Sequence, residues 1–287
     1  MPELPEVETV ARTVDARVRG DRIMEAWFSS HREPFKTPAA KQARQLIDRR
    51  IQQVHRTGKH IVMELGAQVS DSPRRNRPVE KKSAIAAQWI VHLGMTGRLL
   101  VTSPDAPMLK HTHARLTLAS GRELRFVDPR RFGRLEFRDL GRGNGFTGPG
   151  AEPLAIDAKE FAELFRGRKL AIKGALLNQK LLAGVGNIYA DESLFRAGIR
   201  PRRQAGRLKR EELEALRRAL KEILEHAIRL GGSSVSDYVD AEGQRGFFQL
   251  EHCVYQRTGE PCRKCGDPIK RIVLAGRSTH YCSRCQR

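Results

Sequence analysis

Four of the five cysteines lie near the C-terminal end of the chain with the spacing of a metal site. Cys262 and Cys265 form one C-x2-C pair, Cys282 and Cys285 form a second, and sixteen residues separate the two pairs. Thiolates with this spacing can converge on a tetrahedral ion, and zinc is the natural occupant. Because four protein ligands leave no open position for a substrate, the pattern predicts one structural zinc ion.

The start of the chain offers a second kind of chemistry. Residues 1–3 are Met-Pro-Glu, and a small second residue favours removal of Met1, which would make Pro2 the N-terminal residue. An α-amine is partly neutral at physiological pH and can attack an electrophilic sugar carbon. Glu3, directly beside it, is placed to move protons. On these residues alone, the favoured interpretation is an ordinary proline-rich lead into a helix.

The elements of the first half of the chain favour a β-rich domain. Residues 5–19 predict a helix, because valines recur there at helical spacing. A second helix is predicted at about 39–48. The short strand segments are 22–29, 51–57, 60–65, 85–93, 97–102, 113–119, 123–128 and 134–138. This order predicts a β-sandwich with flanking helices.

The second half is predicted to be helical, with a β-hairpin at its end. The helical segments are 158–167, 172–178, 187–197 and 209–230. Residues 231–249 are rich in glycine and serine, with Phe247 and Phe248 predicted to be exposed, as in a functional loop. A hairpin is predicted between the cysteine pairs, with strands at 269–274 and 277–281.

Together these segments predict an α+β multidomain protein: a β-sandwich domain at 1–138 that contains the candidate nucleophile Pro2, a helical domain at 158–251 and a zinc finger at 252–287. A glycine-rich stretch at 139–157 predicts the linker between the first two. Residues 66–83 are polar and proline-containing, and predict a mobile surface loop.

The charge of the chain indicates a polyanionic partner. Its 287 residues carry 53 Lys and Arg against 33 Asp and Glu, a formal net charge of +20. A chain this basic usually binds nucleic acid, since neutralised phosphates release counterions. No apolar run is long enough to span a bilayer, and the N-terminal residues lack the features of a secretion signal. We therefore expect a cytoplasmic protein that does not bind membranes.

Several motifs resemble those of bacterial formamidopyrimidine-DNA glycosylase, also called 8-oxoguanine DNA glycosylase. They occur in the same order and span nearly the whole chain: MPELPEVET at 1–9, GK at 58–59, HLGMTG at 92–97, DPRRFG at 128–133, GVGNIYA at 184–190 and GRST at 276–279. The resemblance implies a helix–two-turns–helix fold for the central domain, and a lesion-capping role for the loop 231–249. The insertion at 66–83 is longer than is usual in this family.

The resemblance also implies residue roles. Catalysis would use Pro2 as the Schiff-base nucleophile, Glu3 as the acid/base, Lys59 in β-elimination and Arg277 in δ-elimination. Three residues would enter the duplex when the damaged base is flipped out: Met95, Arg130 and Phe132. Further DNA contacts would come from His92, His111, Arg168 and Asn187. We expect Asn187 to be an N-cap whose helix binds phosphate. Without the motifs, a solvated Lys59 and core positions for Met95 and Phe132 would be the default expectation.

The activity implied by the resemblance is removal of oxidised purines from duplex DNA, followed by strand cleavage through β- and δ-elimination. The protein would act as a monomer at the bacterial nucleoid. A related alternative is the endonuclease VIII type, which prefers oxidised pyrimidines. A damage-binding relative without catalysis would not require Pro2, Glu3 and Lys59. A generic zinc-finger regulator would explain the charge and the cysteines, but not the N-terminus.

Overall fold

The computed structural model describes residues 1–31, 35–68, 85–234 and 238–287. The helices are α1 (Leu4–Val18), α2 (Ala39–Leu46), α3 (Ala158–Phe165), α4 (Ile172–Leu176), α5 (Asn187–Arg196) and α6 (Arg210–Arg229). The strands are β1 (Ile23–Phe28), β2 (Arg49–Thr57), β3 (His60–Gln68), β4 (Ala87–His92), β5 (Arg98–Thr102), β6 (Thr112–Leu118), β7 (Glu123–Val127), β8 (Arg134–Asp139), β9 (Lys270–Leu274) and β10 (Arg277–Tyr281). Each predicted element is present, with ends that differ by a few residues.

The described chain divides into two units. The first unit contains residues 1–2, 6–147 and 234–246, and the second contains 3–5, 148–233 and 247–287. The predicted surface loop at 66–83 falls largely outside the described residues. Its first three positions, 66–68, belong to β3. Among the described residues, no helix is both long and apolar enough to cross a membrane.

The first unit is built on two four-stranded antiparallel sheets. Their strand orders are β2-β3-β4-β8 and β1-β6-β7-β5. Both sheets contribute to one core, in which Trp89 of the first sheet and Phe126 of the second are fully buried. The valines of α1 complete this core, and the indole Nε1 of Trp89 donates to Gln42 Oε1 of α2 at 2.9 Å. This is the predicted β-sandwich with flanking helices.

Residues 234–246 return to the first unit late in the chain. The hydroxyl of Tyr238 donates to the carbonyl oxygen of Glu6 at 3.2 Å, and Val101 N donates to Ala241 O at 3.0 Å. Because Tyr238 and Ala241 are both buried, this part of the predicted capping loop is packed into a core. Residues 235–237 of the same loop lie outside the described residues.

The second unit is formed by α3 to α6 and the C-terminal hairpin. A 20-residue helix, α6, buries a stripe of apolar residues at spacings of three and four, including Leu213, Leu216 and Leu220. Tyr189 of α5 is fully buried in the same core. The phenylalanine pair was predicted to be exposed, and for Phe248 this is wrong. Phe247 is exposed, whereas Phe248 is 3% exposed because its ring packs 5.4 Å from that of Tyr189.

The hairpin of β9 and β10 belongs to a small core of its own within the second unit. Phe195, Val254 and Ile269 are buried there beside the cysteine sulfurs. The strands pair from Arg277 opposite Leu274 to Tyr281 opposite Lys270. Because so few apolar side chains support this segment, we expect an additional crosslink to contribute much of its stability.

Candidate catalytic and DNA-binding site

The carboxylate of Glu3 lies at the N-terminus of α5. Its Oε1 accepts from the backbone N–H of Ile188 at 3.2 Å, and Oε2 lies 3.5 Å from the N–H of Tyr189. Free N–H groups and the helix dipole both favour a negative charge at this position. Glu3 is 5% exposed, so its side chain is positioned by the helix and not by solvent.

The backbone at residues 184–186 makes this position possible. A Cβ atom at Gly186 would lie 2.1 Å from Glu3 Cδ and 2.4 Å from Glu3 Oε1. Gly184 has φ of +87° and would bring a Cβ to 2.9 Å from the Leu4 side chain, while Leu4 N donates to Gly184 O at 3.0 Å. The GVGN motif is therefore the surface on which residues 3 and 4 lie.

Asn187 was predicted to be the N-cap of this helix, and the prediction is wrong. Gly186 occupies the N-cap position, Asn187 is the first helical residue, and the Glu3 carboxylate takes the place of a capping side chain. The amide Nδ2 of Asn187 instead donates to Ser278 O of β10 at 3.0 Å. Ser278 is the direct neighbour of Arg277, which is exposed at the start of β10.

A fully buried ion pair joins α4, α5 and β10. Lys173 Nζ lies 2.7 Å from Asp191 Oδ1, and both side chains are 0% exposed. Lys173 also donates to Ser278 O at 2.7 Å and Thr279 Oγ1 at 2.9 Å, while Asp191 Oδ2 accepts from His280 N at 2.9 Å. Burial lowers the pKa of Lys173, and the Asp191 carboxylate acts in the opposite direction.

The next residue of α5 binds the segment that leads into the hairpin. Glu192 is buried, and its carboxylate accepts from the backbone N–H groups of Cys253, Val254 and Tyr255 at 2.8–2.9 Å. Burial raises the pKa of Glu192, and these three donors oppose that shift. One face of α5 therefore determines where the C-terminal module sits within the second unit.

The four cysteine sulfurs of the C-x2-C pairs meet at one point. All four lie within 4.8 Å of one another, with 3.9 Å between the sulfurs of Cys262 and Cys285 and 3.5 Å between those of Cys265 and Cys282. A tetrahedral zinc ion with Zn–S bonds of about 2.3 Å requires sulfur separations of about 3.8 Å. The donor set therefore fits one structural zinc ion.

Backbone N–H groups lie close to two of these sulfurs. Lys264 N donates to the sulfur of Cys262 at 3.4 Å. Cys285 N donates to the sulfur of Cys282, also at 3.4 Å. Burial by itself raises the pKa of the Cys262 thiol, but hydrogen bonds from backbone N–H groups and from the neighbouring thiols of Cys265 and Cys282 outweigh it and lower this pKa to about 7. Cys253 lies outside the cluster.

We expect Cys282→Ser to lose its zinc and, with it, most of its affinity for duplex DNA. Removal of one ligand opens the tetrahedral site, and a structural zinc contributes on the order of 10 kcal/mol to the folding of such a module. Zinc content by mass spectrometry and duplex affinity by fluorescence anisotropy measure the two effects. Cys253→Ser is the matched control and should retain zinc. Full zinc content in Cys282→Ser would contradict this assignment.

In the first unit, the predicted catalytic residues Pro2 and Lys59 are both buried. Lys59 forms the two-residue turn between β2 and β3 with Gly58, whose φ of +59° suits glycine. At 7% exposure, Lys59 is not the solvated strand-end lysine that its residue type suggests.

The three residues expected to enter the duplex lie on two loops that touch. Met95 and Phe132 are 40% and 49% exposed, which is unusual for large apolar side chains on loops. Arg130 stacks on Phe132, with its guanidinium carbon 4.9 Å from the ring centre. On residue type alone, Met95 and Phe132 would be expected in the core. Both are exposed, so that expectation is wrong.

The remaining predicted DNA contacts differ in environment. His111 is exposed in the left-handed region, with φ of +67°, and Arg168 is exposed on the loop after α3. His92 is half-buried, and its Nδ1 accepts from Gly94 N at 3.1 Å. Burial lowers the pKa of His92 to about 4, so the ring is neutral at physiological pH and carries its hydrogen on Nε2.

Comparison with known proteins identifies the family. Residues 1–135 match the formamidopyrimidine-DNA glycosylase N-terminal domain, 148–239 match the H2TH domain of the same enzymes, and 259–287 match the zinc finger found in FPG and IleRS. A formamidopyrimidine-DNA glycosylase of Solibacter usitatus is 43% identical over 288 residues, covering 100% of both chains. The chain belongs to the formamidopyrimidine-DNA glycosylase family.

Other members of the formamidopyrimidine-DNA glycosylase family support the same conclusion. That of Desulfitobacterium hafniense is 41% identical over 294 residues, with 100% of both chains covered. Lactococcus lactis Fpg in complex with abasic-site DNA has a TM-score of 0.84 at 35% identity, covering 99% of both chains. MutM (FPG) of Thermus thermophilus has a TM-score of 0.82 at 37% identity, covering 99% of this chain and 98% of that chain.

Three residues of these clusters escaped the sequence analysis: Lys173, Asp191 and Glu192. Lys173, Asp191 and Glu192 lie on helices, where charged residues are ordinarily solvated. Nothing in their spacing distinguishes them from surface residues.

Proposed function

We propose that this protein is a base-excision-repair enzyme that removes oxidised purines, such as 8-oxoguanine and formamidopyrimidines, from duplex DNA and then cleaves the strand. The family relationship supports the substrate class, and solved relatives are complexes with Fapy-dG and abasic-site DNA. The observation that carries the proposal is the position of Glu3. This residue directly follows Pro2 in the chain, and its carboxylate lies at the N-terminus of α5.

The chemistry follows from an amine beside a carboxylate. After removal of Met1, the neutral Pro2 nitrogen attacks C1′ of the damaged nucleotide, and the bond between C1′ and the base breaks. Glu3 supplies and accepts the protons that accompany departure of the base and opening of the sugar ring. The product is an iminium ion between Pro2 and C1′, which acidifies the C2′ hydrogens.

Strand cleavage is assigned to two cationic residues. Loss of a C2′ proton expels the 3′ phosphate, and loss of a further proton expels the 5′ phosphate, which leaves a one-nucleotide gap with phosphates at both ends. Water then hydrolyses the iminium, which releases the unsaturated sugar remnant as an aldehyde and regenerates the Pro2 amine. We assign Lys59 to the first elimination and Arg277 to the second, with the positive charges stabilising the departing phosphates. The zinc ion has a structural role only.

Recognition of the duplex is assigned to two groups of side chains, and those of the first group, Met95, Arg130 and Phe132, are exposed. Met95 fills the space left by the flipped nucleotide, Phe132 wedges a base step, and Arg130 hydrogen-bonds the orphaned cytosine. We assign contacts with the phosphates of the DNA backbone to a second group of residues: His92, His111, Arg168 and Asn187. The net charge of +20 supports binding to duplex DNA.

The domain division and cellular setting are part of the same proposal. We assign catalysis to 1–138, a linker role to 139–157, the helix–two-turns–helix domain with its capping loop (231–249) to 158–251, and the zinc finger to 252–287. Its named relatives are bacterial enzymes, and we infer action as a monomer on nucleoid DNA in the bacterial cytoplasm.

Borohydride trapping on an 8-oxoguanine:cytosine duplex should produce a covalent protein–DNA adduct, because the reagent reduces the iminium. Peptide mass spectrometry should locate the adduct at Pro2, which also requires that Met1 has been removed. An undamaged guanine:cytosine duplex is the control and should give no adduct. An adduct at a lysine would disprove the assignment of the nucleophile. Tight binding without any adduct would indicate a damage-binding relative that lacks catalysis.

A further inference from the structure

Asp128 is a fully buried carboxylate at the end of β7, in the first unit, with no catalytic role assigned above. Its Oδ1 accepts from the Thr96 hydroxyl at 2.7 Å and from Arg130 N at 3.3 Å, and its Oδ2 accepts from Gly133 N at 2.7 Å. A buried carboxylate is tolerated when such donors replace its water. These bonds connect the loop 93–97 to the loop 128–133.

The backbone of Asp128 reaches a third loop. Asp128 N donates to His111 O at 3.0 Å, and Asp128 O accepts from His113 Nε2 at 3.1 Å. Since a carbonyl oxygen can only accept, His113 carries its hydrogen on Nε2. The ring nitrogen Nδ1 then accepts from the Ser29 hydroxyl at 3.1 Å. The loop that bears His111 is therefore bound to the same residue.

The first two loops are also in direct backbone contact. A Cβ atom at Gly94 would lie 2.5 Å from both Gly133 N and Phe132 C. Only glycine at position 94 allows this approach, and φ of +64° there is a second reason for glycine. Met95 and Phe132 thus project from backbone segments that are in direct contact.

We propose that Asp128, together with Thr96, is a positioning residue that sets the relative placement of Met95, Arg130 and Phe132 for insertion into the duplex. This inference rests on the proposed function, because it requires those three residues to enter DNA. Neither Asp128 nor Thr96 needs to touch the nucleic acid. The hydroxyl–carboxylate bond between them crosslinks the two loops, so its loss should slow insertion and leave the elimination chemistry intact.

The test uses Thr96→Val, which removes the hydroxyl and keeps the side-chain shape. The readout is stopped-flow fluorescence of 2-aminopurine next to the cytosine opposite 8-oxoguanine, which reports unstacking by the inserted residues. We expect insertion to slow by about 10-fold, the equivalent of one net hydrogen bond. Cleavage of a duplex with a preformed abasic site should change by less than about threefold. Thr96→Ser retains the hydroxyl and should restore the wild-type insertion rate.

Two further variants make the result decisive. Asp128→Asn places an amide N–H against the backbone N–H of Gly133 or, in the other orientation of the amide, against that of Arg130. It should therefore slow insertion more than Thr96→Val does. A Met95→Ala/Phe132→Ala variant tests the proposed function itself. If that variant slows insertion while Thr96→Val and Asp128→Asn do not, the positioning role is disproved and the proposed function stands. If none of the variants slows insertion, the duplex-entry role fails and the inference fails with it.

Discussion

Gly186→Ala is expected to reduce the rate of 8-oxoguanine release by at least about 100-fold, the smaller end of the contribution of a positioned acid/base. The added Cβ would overlap Glu3 Cδ at 2.1 Å, so the carboxylate must leave the N-terminus of α5. The backbone at Gly186 is extended, with φ of −130°, so alanine can adopt it without strain. The effect should therefore come from displacement of Glu3. Single-turnover base release from an 8-oxoguanine:cytosine duplex measures it.

Gly143→Ala is the matched control for this substitution. Gly143 is exposed, has extended backbone with φ of 175°, and has no atom within 4 Å of an added Cβ. Its rate of base release should remain within about twofold of wild type. Strand cleavage at a preformed abasic site should persist in Gly186→Ala, because Pro2 is unchanged. Normal base release by Gly186→Ala would show that Glu3 does not act from this position.

Lys173→Met is expected to lower the free energy of unfolding of the second unit by about 3–5 kcal/mol, because it leaves a buried Asp191 carboxylate without its cation. Both side chains are 0% exposed and 2.7 Å apart, so water cannot replace the lost partner. Urea unfolding followed by circular dichroism measures the change. Lys173→Met/Asp191→Asn should recover part of the loss, since a neutral amide can still accept from His280 N.

The ion pair between Arg196 and Glu222 provides the comparison for Lys173. These side chains are 53% and 46% exposed, with 2.8 Å between Arg196 Nη2 and Glu222 Oε2. Glu222→Gln should cost less than about 1 kcal/mol, as is usual for exposed pairs. A loss of similar size in Lys173→Met and Glu222→Gln would mean that burial does not determine the strength of the Lys173 pair.

The buried pair of Lys173 and Asp191 also binds the strand that carries the proposed catalytic residue Arg277. Lys173 donates to Ser278 O and Thr279 Oγ1 on β10, the strand that begins with Arg277. Asn187 donates to the same Ser278 carbonyl oxygen from the first turn of α5. The Glu3 carboxylate lies at this same turn. Helix α5 therefore contacts both Glu3 and the strand that bears Arg277, which are two of the proposed catalytic residues.

Local sequence determined the elements and the metal site. Strand and helix periodicity depends on neighbours a few residues apart, so β1 to β10 and α1 to α6 were predictable from patterns of apolar residues. The two C-x2-C pairs are equally local, and the hairpin between them leaves the four sulfurs few other places to meet. Ordered motifs along the chain identified the family for the same reason, since each is a short contiguous segment.

Tertiary structure alone decided which atoms of distant segments meet. Asn187 looked like an N-cap because its residue type suits one, but the carboxylate of Glu3, 184 positions earlier in the chain, takes that place. Lys173 and Asp191 looked like solvated helix residues until their helices packed and removed water from both. The positioning role proposed for Asp128 rests on its hydrogen bonds to three loops, which only the folded structure brings together. Long-range contacts of this kind depend on how whole elements pack, and no local pattern in the sequence specifies them.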